Sequence, residues 1–194
     1  MRRLISGSPR DALEGEGPIV NRARSALKNT AAQFGTVSSF DRKTVTVLTE
    51  CGMTLVFSYK SGNYIFSRVY NLNISVVLPP QTRVPTEIEL SFNGKGAPEF
   101  HPKRKTRSLR PTAGPRLNAL NAQISAQLRE IDLIQSEVTG RTLNVVPLGG
   151  SFVWVLIPPI FKATAFPSGE VERIINLFRS FMKPHAAVPD PIAA

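Results

Sequence analysis

The sequence predicts an α+β fold: an antiparallel, meandering sheet in two blocks, with about three amphipathic helices. Two observations carry this. Strand-like segments cluster at hairpin spacing instead of alternating one by one with helices, which argues against a doubly wound parallel sheet. Each cluster also opens on a stretch of helical periodicity, the first over residues 20–34 and the second over residues 116–138.

In the first stretch Val20, Ala23, Leu27, Ala31 and Phe34 recur at three and four residues, and Gly35 follows as a helix-ending glycine. Thr44–Thr49 is β-branched and strand-like, and Cys51-Gly52 reads as a turn. Met53, Leu55, Phe57 and Tyr59 then alternate with smaller residues up to a second expected turn at Ser61-Gly62-Asn63. The clearest period-2 signal follows. Tyr64, Phe66, Tyr70, Leu72, Ile74, Val76 and Leu78 share one face, with Arg68 out of place, and Ser67, Asn71, Asn73 and Ser75 form the wet face. Pro79-Pro80 ends this strand, and Ile88, Leu90 and Phe92 mark another, half-exposed one.

Residues 93–115 carry four prolines and three glycines around a run of cations and read as a loop. Leu117, Leu120, Ile124, Leu128, Ile131 and Ile134 predict a helix over 116–138, closed by Gly140. Leu143, Val145 and Val146 open a strand, and Gly149-Gly150 is expected to turn a hairpin. Phe152–Ile157 is apolar on both faces, as a covered central strand would be, and Ile160–Phe166 is a candidate third strand. Ser168 is the expected N-cap of a last helix whose inner face would be Val171, Ile174, Ile175, Phe178 and Met182. The organisation expected is a flexible arm over 1–18, one α+β domain over 19–183, and a flexible tail over 184–194.

A chain of 194 residues with 42% hydrophobic and 20% charged residues can bury a core without staples. Its single cysteine, Cys51, rules out an intramolecular disulfide and fits a reducing compartment. The N-terminal segment has no apolar core of a secretory signal. The longest apolar run, Phe152–Phe161, is broken by Pro158-Pro159 and falls well short of the roughly 20 residues that a spanning helix needs. No transmembrane segment and a cytoplasmic location are therefore expected.

Charge is the most informative feature. The chain carries a formal net charge of +10, and residues 101–129 hold seven Lys or Arg with no carboxylate. Five of those cations, Lys103, Arg104, Lys105, Arg107 and Arg110, fall in one short run. Arginine offers bidentate donors to phosphate and lysine a point charge, so these five are the expected anion-binding residues, with Thr106 and Ser108 adding hydroxyls. Nucleic acid is one partner that this run suits, although it lacks interleaved aromatics for base stacking. An anionic membrane surface suits it equally, at about 1 kcal/mol per cation. Leu109 is the only apolar residue in the run, so the run itself has nothing to insert.

Other chemistry finds little support. Two histidines, His101 and His185, and one cysteine do not make a metal site or a triad. Neither Gly94-Lys95-Gly96 nor Gly149-Gly150 extends to a phosphate-cradling loop. Glu87 and Glu89 share a strand face at roughly 7 Å, a spacing compatible with paired-carboxylate chemistry but also with an ordinary wet face. No cofactor is expected, and the protein reads as non-enzymatic. The alternative is a module for an apolar ligand, a protein partner or homodimerisation. The order of helices and strands is similar to that of type III secretion chaperones, which implies polypeptide binding, although those chaperones are typically acidic.

Overall fold

Alternation along the strands and two apolar helix stripes build the architecture, seen in a computed structural model that describes residues 13–63, 67–82, 84–92, 98–103, 113–156 and 160–183. Antiparallel strands and three helices make an α+β fold, as the patterning predicts. The described residues gather into two units, one from residues 1–74 and 147–166, the other from 75–146 and 167–194.

In the first unit, helix α1 (Pro18–Ala31) and a 3-10 turn (Ala32–Phe34) pack on a sheet of β1 (Thr36–Phe40), β2 (Thr44–Leu48), β3 (Thr54–Asn63) and β4 (Ser67–Val77), paired in that order. The last three residues of β4 belong to the second unit. Strand β9 (Phe152–Val155) pairs antiparallel with β4, and β10 (Ile160–Ala163) pairs antiparallel with β9. The α1 stripe Val20, Ala23, Leu27 and Ala31 is buried, together with Val45, Val47, Leu55, Phe57, Tyr70 and Leu72 from the sheet. Aromatic rings bind the layers: Phe34 lies 5.0 Å from Phe57 and 5.5 Å from Phe166, and Tyr70 lies 5.8 Å from Phe152. Residues 13–17 fold back along α1, where Arg24 donates to the carbonyls of Leu13 at 2.8 Å and Gly15 at 3.0 Å.

The second unit pairs β8 (Thr142–Pro147), β7 (Leu133–Thr139), β5 (Ile88–Ser91) and β6 (Glu99–Pro102) in that order, with α2 (Ala113–Arg129) and α3 (Glu170–Met182) packed together. Its core holds Ile88, Leu90, Phe100, Leu120, Ile124, Val138, Leu143, Ile174, Leu177, Phe178 and Phe181. Phe100 and Phe181 meet edge to face at 5.6 Å. Gln127 of α2 donates to the Ser180 hydroxyl of α3 at 2.9 Å.

Several expectations are corrected. The second helix stops at Arg129, because residues 133–139 switch to alternation, with Ser136 and Val138 buried between exposed or half-buried neighbours. Ile131 still reaches the core, but Ile134 is exposed. Gly140, at φ 57°, therefore turns the β7–β8 hairpin and ends no helix. Ser61-Gly62-Asn63 continues β3 and is not a turn. Gly149-Gly150 turns the chain, but β9 takes β4 and β10 as its neighbours instead of forming a hairpin with the strand before it. Although flanked on both sides, β9 buries only Phe152 and leaves Val153, Trp154 and Val155 half-exposed. β10 ends at Ala163, before Phe166. Asn73, assigned to the wet face, is buried and donates to Ser58 at 3.4 Å.

The expected loop at 93–115 contains β6, and α2 already begins at Ala113. β6 is held through its outer edge: the Asn121 side-chain amide accepts from the Phe100 N–H and donates to the Phe100 carbonyl, both at 2.9 Å. An amide side chain thus does for an edge strand what a neighbouring strand would do. Asn121 is a polar residue outside the apolar stripe of this helix, so polarity alone does not reveal this role. The N-cap of α3 is Gly169 at φ 74°, not Ser168, and its fully covered apolar residues are Ile174, Leu177, Phe178 and Phe181. Val171, Ile175 and Met182 lie at the border.

Two predictions follow from the packing. Gly150, at φ 75°, has no room for a Cβ, which would meet Leu72 at 2.5 Å and Thr30 at 2.8 Å. Gly150→Ala should lower unfolding free energy by about 2 kcal/mol or more, combining backbone strain with overpacking, as read by urea titration. The second concerns Glu170, which is 1% exposed and accepts the Asp132 N–H at 3.1 Å on one oxygen. Burial pushes its pKa above the usual glutamate value, and the charge of Asp132 adds to this, against the opposing effects of the Asp132 N–H and Arg173. A raised carboxyl pKa favours folding when the group is protonated, and that benefit is lost as pH rises through the folded value. Glu170→Gln should therefore raise the melting temperature at neutral pH, with the gain shrinking below the ordinary glutamate range.

Candidate anion-binding segment and the Lys103 cluster

The basic run begins at Lys103, one residue past β6. Its amide donates to the Glu87 carbonyl at 2.8 Å, extending the β5–β6 ladder by one rung. Its ammonium lies 2.8 Å from Glu137 Oε2 and 3.7 Å from Glu87 Oε2, and it donates to Thr139 Oγ1 at 2.6 Å. Register explains the convergence. Glu89 stands directly opposite Glu137 on β7 and opposite His101 on β6, so the β5–β7 pair sets like charges face to face. One ammonium offsets that repulsion.

Partial burial pulls the Lys103 pKa down, but the hydrogen bond to Glu137 and the charges of Glu137, Glu87 and Glu89 outweigh it and hold the group above the ordinary lysine value. The Lys103 side chain is only 20% exposed. Of the five expected anion-binding residues, Lys103 is therefore placed among carboxylates. Arg104, Lys105, Arg107 and Arg110, with Thr106 and Ser108, lie outside the described residues.

Glu87, singled out with Glu89, has a specific backbone. At φ 58° it is the one non-glycine among the described residues with positive φ, a conformation that costs about 1–2 kcal/mol. It is held there by the Lys103 amide on its carbonyl and by the Gly140 N–H donating to its Oε1 at 3.0 Å. Glu87 and Glu89 thus flank a lysine in a strand latch, and Glu89 is exposed. His101 lies in β6, not in a loop, and its Nε2 has no hydrogen-bond partner among the described residues. His185 falls outside them. Cys51 is exposed in the β2–β3 turn, its sulfur 3.2 Å from Thr49 Oγ1. Among the described residues no cluster of three or more His, Cys, Asp or Glu can hold a metal ion.

Two of the open pockets bring charged groups together. One, of about 320 Å³ in the second unit, is lined by Gln127 and Glu130 of the α2 side and by Arg173, Asn176, Arg179, Ser180 and Lys183. It brings together three cations and one carboxylate. The other, of about 460 Å³ in the first unit, is lined by residues 16–20, Ser67, Arg68 and Trp154. Arg68 lies over the Tyr70 ring at 5.9 Å and donates to its hydroxyl at 3.3 Å, which accounts for a cation on an apolar strand face.

Residues 32–183 match the model of a family described as "Protein of unknown function (DUF3156)". No curated protein and no solved structure matches the chain. Among the described residues no helix is long and apolar enough to cross a membrane.

The latch predicts a defined mutational signature. Lys103→Gln should cost about 1–2 kcal/mol of stability in urea, between the values for exposed and buried ion pairs. Glu137→Gln should destabilise the parent yet stabilise the Lys103→Gln variant, where it removes the Glu89–Glu137 repulsion. Because the folded lysine pKa is raised, this contribution is full below the ordinary lysine value and disappears as pH rises through the folded one.

Proposed function

The chain belongs to this family of unknown function, and we propose that it is a cytoplasmic, non-enzymatic binding protein that engages an anionic partner through Arg104, Lys105, Arg107 and Arg110. The observation that carries the reading is the separation of charge along the second unit. The carboxylates nearest in sequence, Glu87, Glu89 and Glu99, precede the run, and two of them face Lys103. From residue 104 to residue 129 no carboxylate follows. Lys103 serves as the anchor that fastens the start of the run to the sheet, and the four later cations carry the contact. The cationic pocket beside α3 adds Arg173, Arg179 and Lys183 to the positive potential of the same unit.

A second reading, binding of a small apolar ligand, is supported by the pocket beside Trp154, whose volume of about 460 Å³ falls in the range of small-molecule sites. Native mass spectrometry of protein purified from cells separates the two, since a retained small-molecule mass favours this second reading.

The salt dependence of binding to duplex DNA, heparin and anionic vesicles tests the main reading. Each phosphate contacted adds about −0.9 to the log–log slope on DNA. Replacing Arg104, Lys105, Arg107 and Arg110 together by Gln should flatten that slope by up to about 3.6, and weaken binding to all three probes. Lys103→Gln should leave the slope unchanged while lowering stability. Salt-independent binding, or no binding to any probe at low salt, overturns the proposal.

A further inference from the structure

We infer that the pocket between the first turn of α1 and the β4–β9 pair binds a flat aromatic ligand carrying a single carboxylate, with its ring against Trp154 and its carboxylate on Arg68. This site deepens the second reading above, on which it rests, and needs nothing from the basic run.

Register sets the floor of this pocket. Arg68 of β4 stands directly opposite Trp154 of β9, and Trp154 stands opposite Phe161 of β10. Side chains directly opposite one another share a face of the sheet, so a cation, an indole and a phenyl ring form one row. Two residues along the same face come Tyr70 and Phe152, both buried in the core. The helix layer closes one end of the row, where Arg22 of α1 stands over the Phe161 ring at 4.4 Å. Over Arg68 and Trp154 a space of about 460 Å³ is left instead, bounded on its other sides by residues 16–20 and Ser67. Arg68 and Trp154 are accordingly half-exposed.

The lining selects the shape and charge of the ligand. Trp154 offers a wide, rigid ring that favours offset or edge-to-face contact with another ring. Pro18, Ile19 and Val20 supply apolar groups across the space, so a flat apolar body is covered from two sides. Arg68 supplies the polar end. Its Nη1 donates to the Tyr70 hydroxyl at 3.3 Å and its Cζ lies 5.9 Å from the centre of that buried ring, which holds the guanidinium in place before a ligand arrives. A guanidinium fork matches a carboxylate in a bidentate pair. Glu16 limits the charge that is accepted. Arg68 and Glu16 are the charged residues lining the space, and they cancel. A polyanion such as a nucleotide would meet one cation and one carboxylate. A monoanion pairs with Arg68 and keeps its ring on Trp154, while Glu16 stays with Arg42 at 3.4 Å on the solvent side.

Trp154 is the only tryptophan in the chain, so a single indole N–H signal in the proton–nitrogen spectrum of the full-length protein reports this site. Naphthoate, its neutral counterpart naphthol and the aliphatic carboxylate octanoate are titrated separately. A saturable shift of that signal is expected with naphthoate, with naphthol at least about tenfold weaker and octanoate several-fold weaker. Arg68→Gln should erase the preference for naphthoate over naphthol while naphthol still binds. Glu16→Gln, at an exposed residue outside the core, should tighten naphthoate by about two- to fivefold and leave naphthol unchanged. Circular dichroism checks that both variants fold. Naphthol or octanoate binding as tightly as naphthoate overturns the aromatic carboxylate and leaves the apolar-ligand reading standing. An Arg68→Gln variant that keeps the full preference does the same. No shift of the Trp154 signal with any probe overturns both.

Discussion

The ammonium of Lys103 sits where three strands converge, and the charge layout of the second unit depends on it. β5 and β7 place Glu89 against Glu137, and Glu87 is held in a left-handed backbone at the start of β5. Without a cation at that point, three carboxylates would share one sheet face. With it, the acidic residues beside the basic run are balanced by the run's first member. Lysine suits this place because a compact point charge can approach Glu137, Glu87 and the Thr139 hydroxyl together, where a planar guanidinium would favour one bidentate partner. The cations that follow, from residue 104 to residue 129, have no carboxylate among them in sequence.

How far this was legible in the sequence depended on the length of the pattern. The period-2 signal of β4 and the stripes of α1 and α2 extend over ten residues or more, long enough for alternation to outweigh single exceptions such as Arg68. Short elements escaped. β1 is an edge strand with only Val37 partly covered, and β6 is four residues beside a basic run, so neither displays a buried face in sequence. The expected helix runs past Arg129 because Ile131 and Ile134 continue the helical spacing by chance, while the strand's own signal, Ser136 and Val138, contains one polar member. Ser136 is buried because its hydroxyl donates to the Asn144 carbonyl at 3.0 Å, a contact that only the β7–β8 hairpin creates.

The site was legible as composition and not as geometry. Five cations between residues 103 and 110 raise the expectation of an anionic partner, but sequence cannot distinguish the one whose side chain turns back to the sheet. Lys103 is separated from Glu137 by more than thirty positions along the chain, and only the register of β5 with both β6 and β7 brings them together. Likewise, Phe152–Ile157 reads as a covered central strand because both faces are apolar, yet β9 buries only Phe152.

The most direct measurement is hydrogen exchange of the intact chain, read by mass spectrometry with and without a bound anionic probe (duplex DNA, heparin or anionic vesicles). Exchange should slow in peptides covering 104–110, with β1 and β2 unchanged. Protection confined to other segments while the probe is bound would overturn the binding role of the basic run.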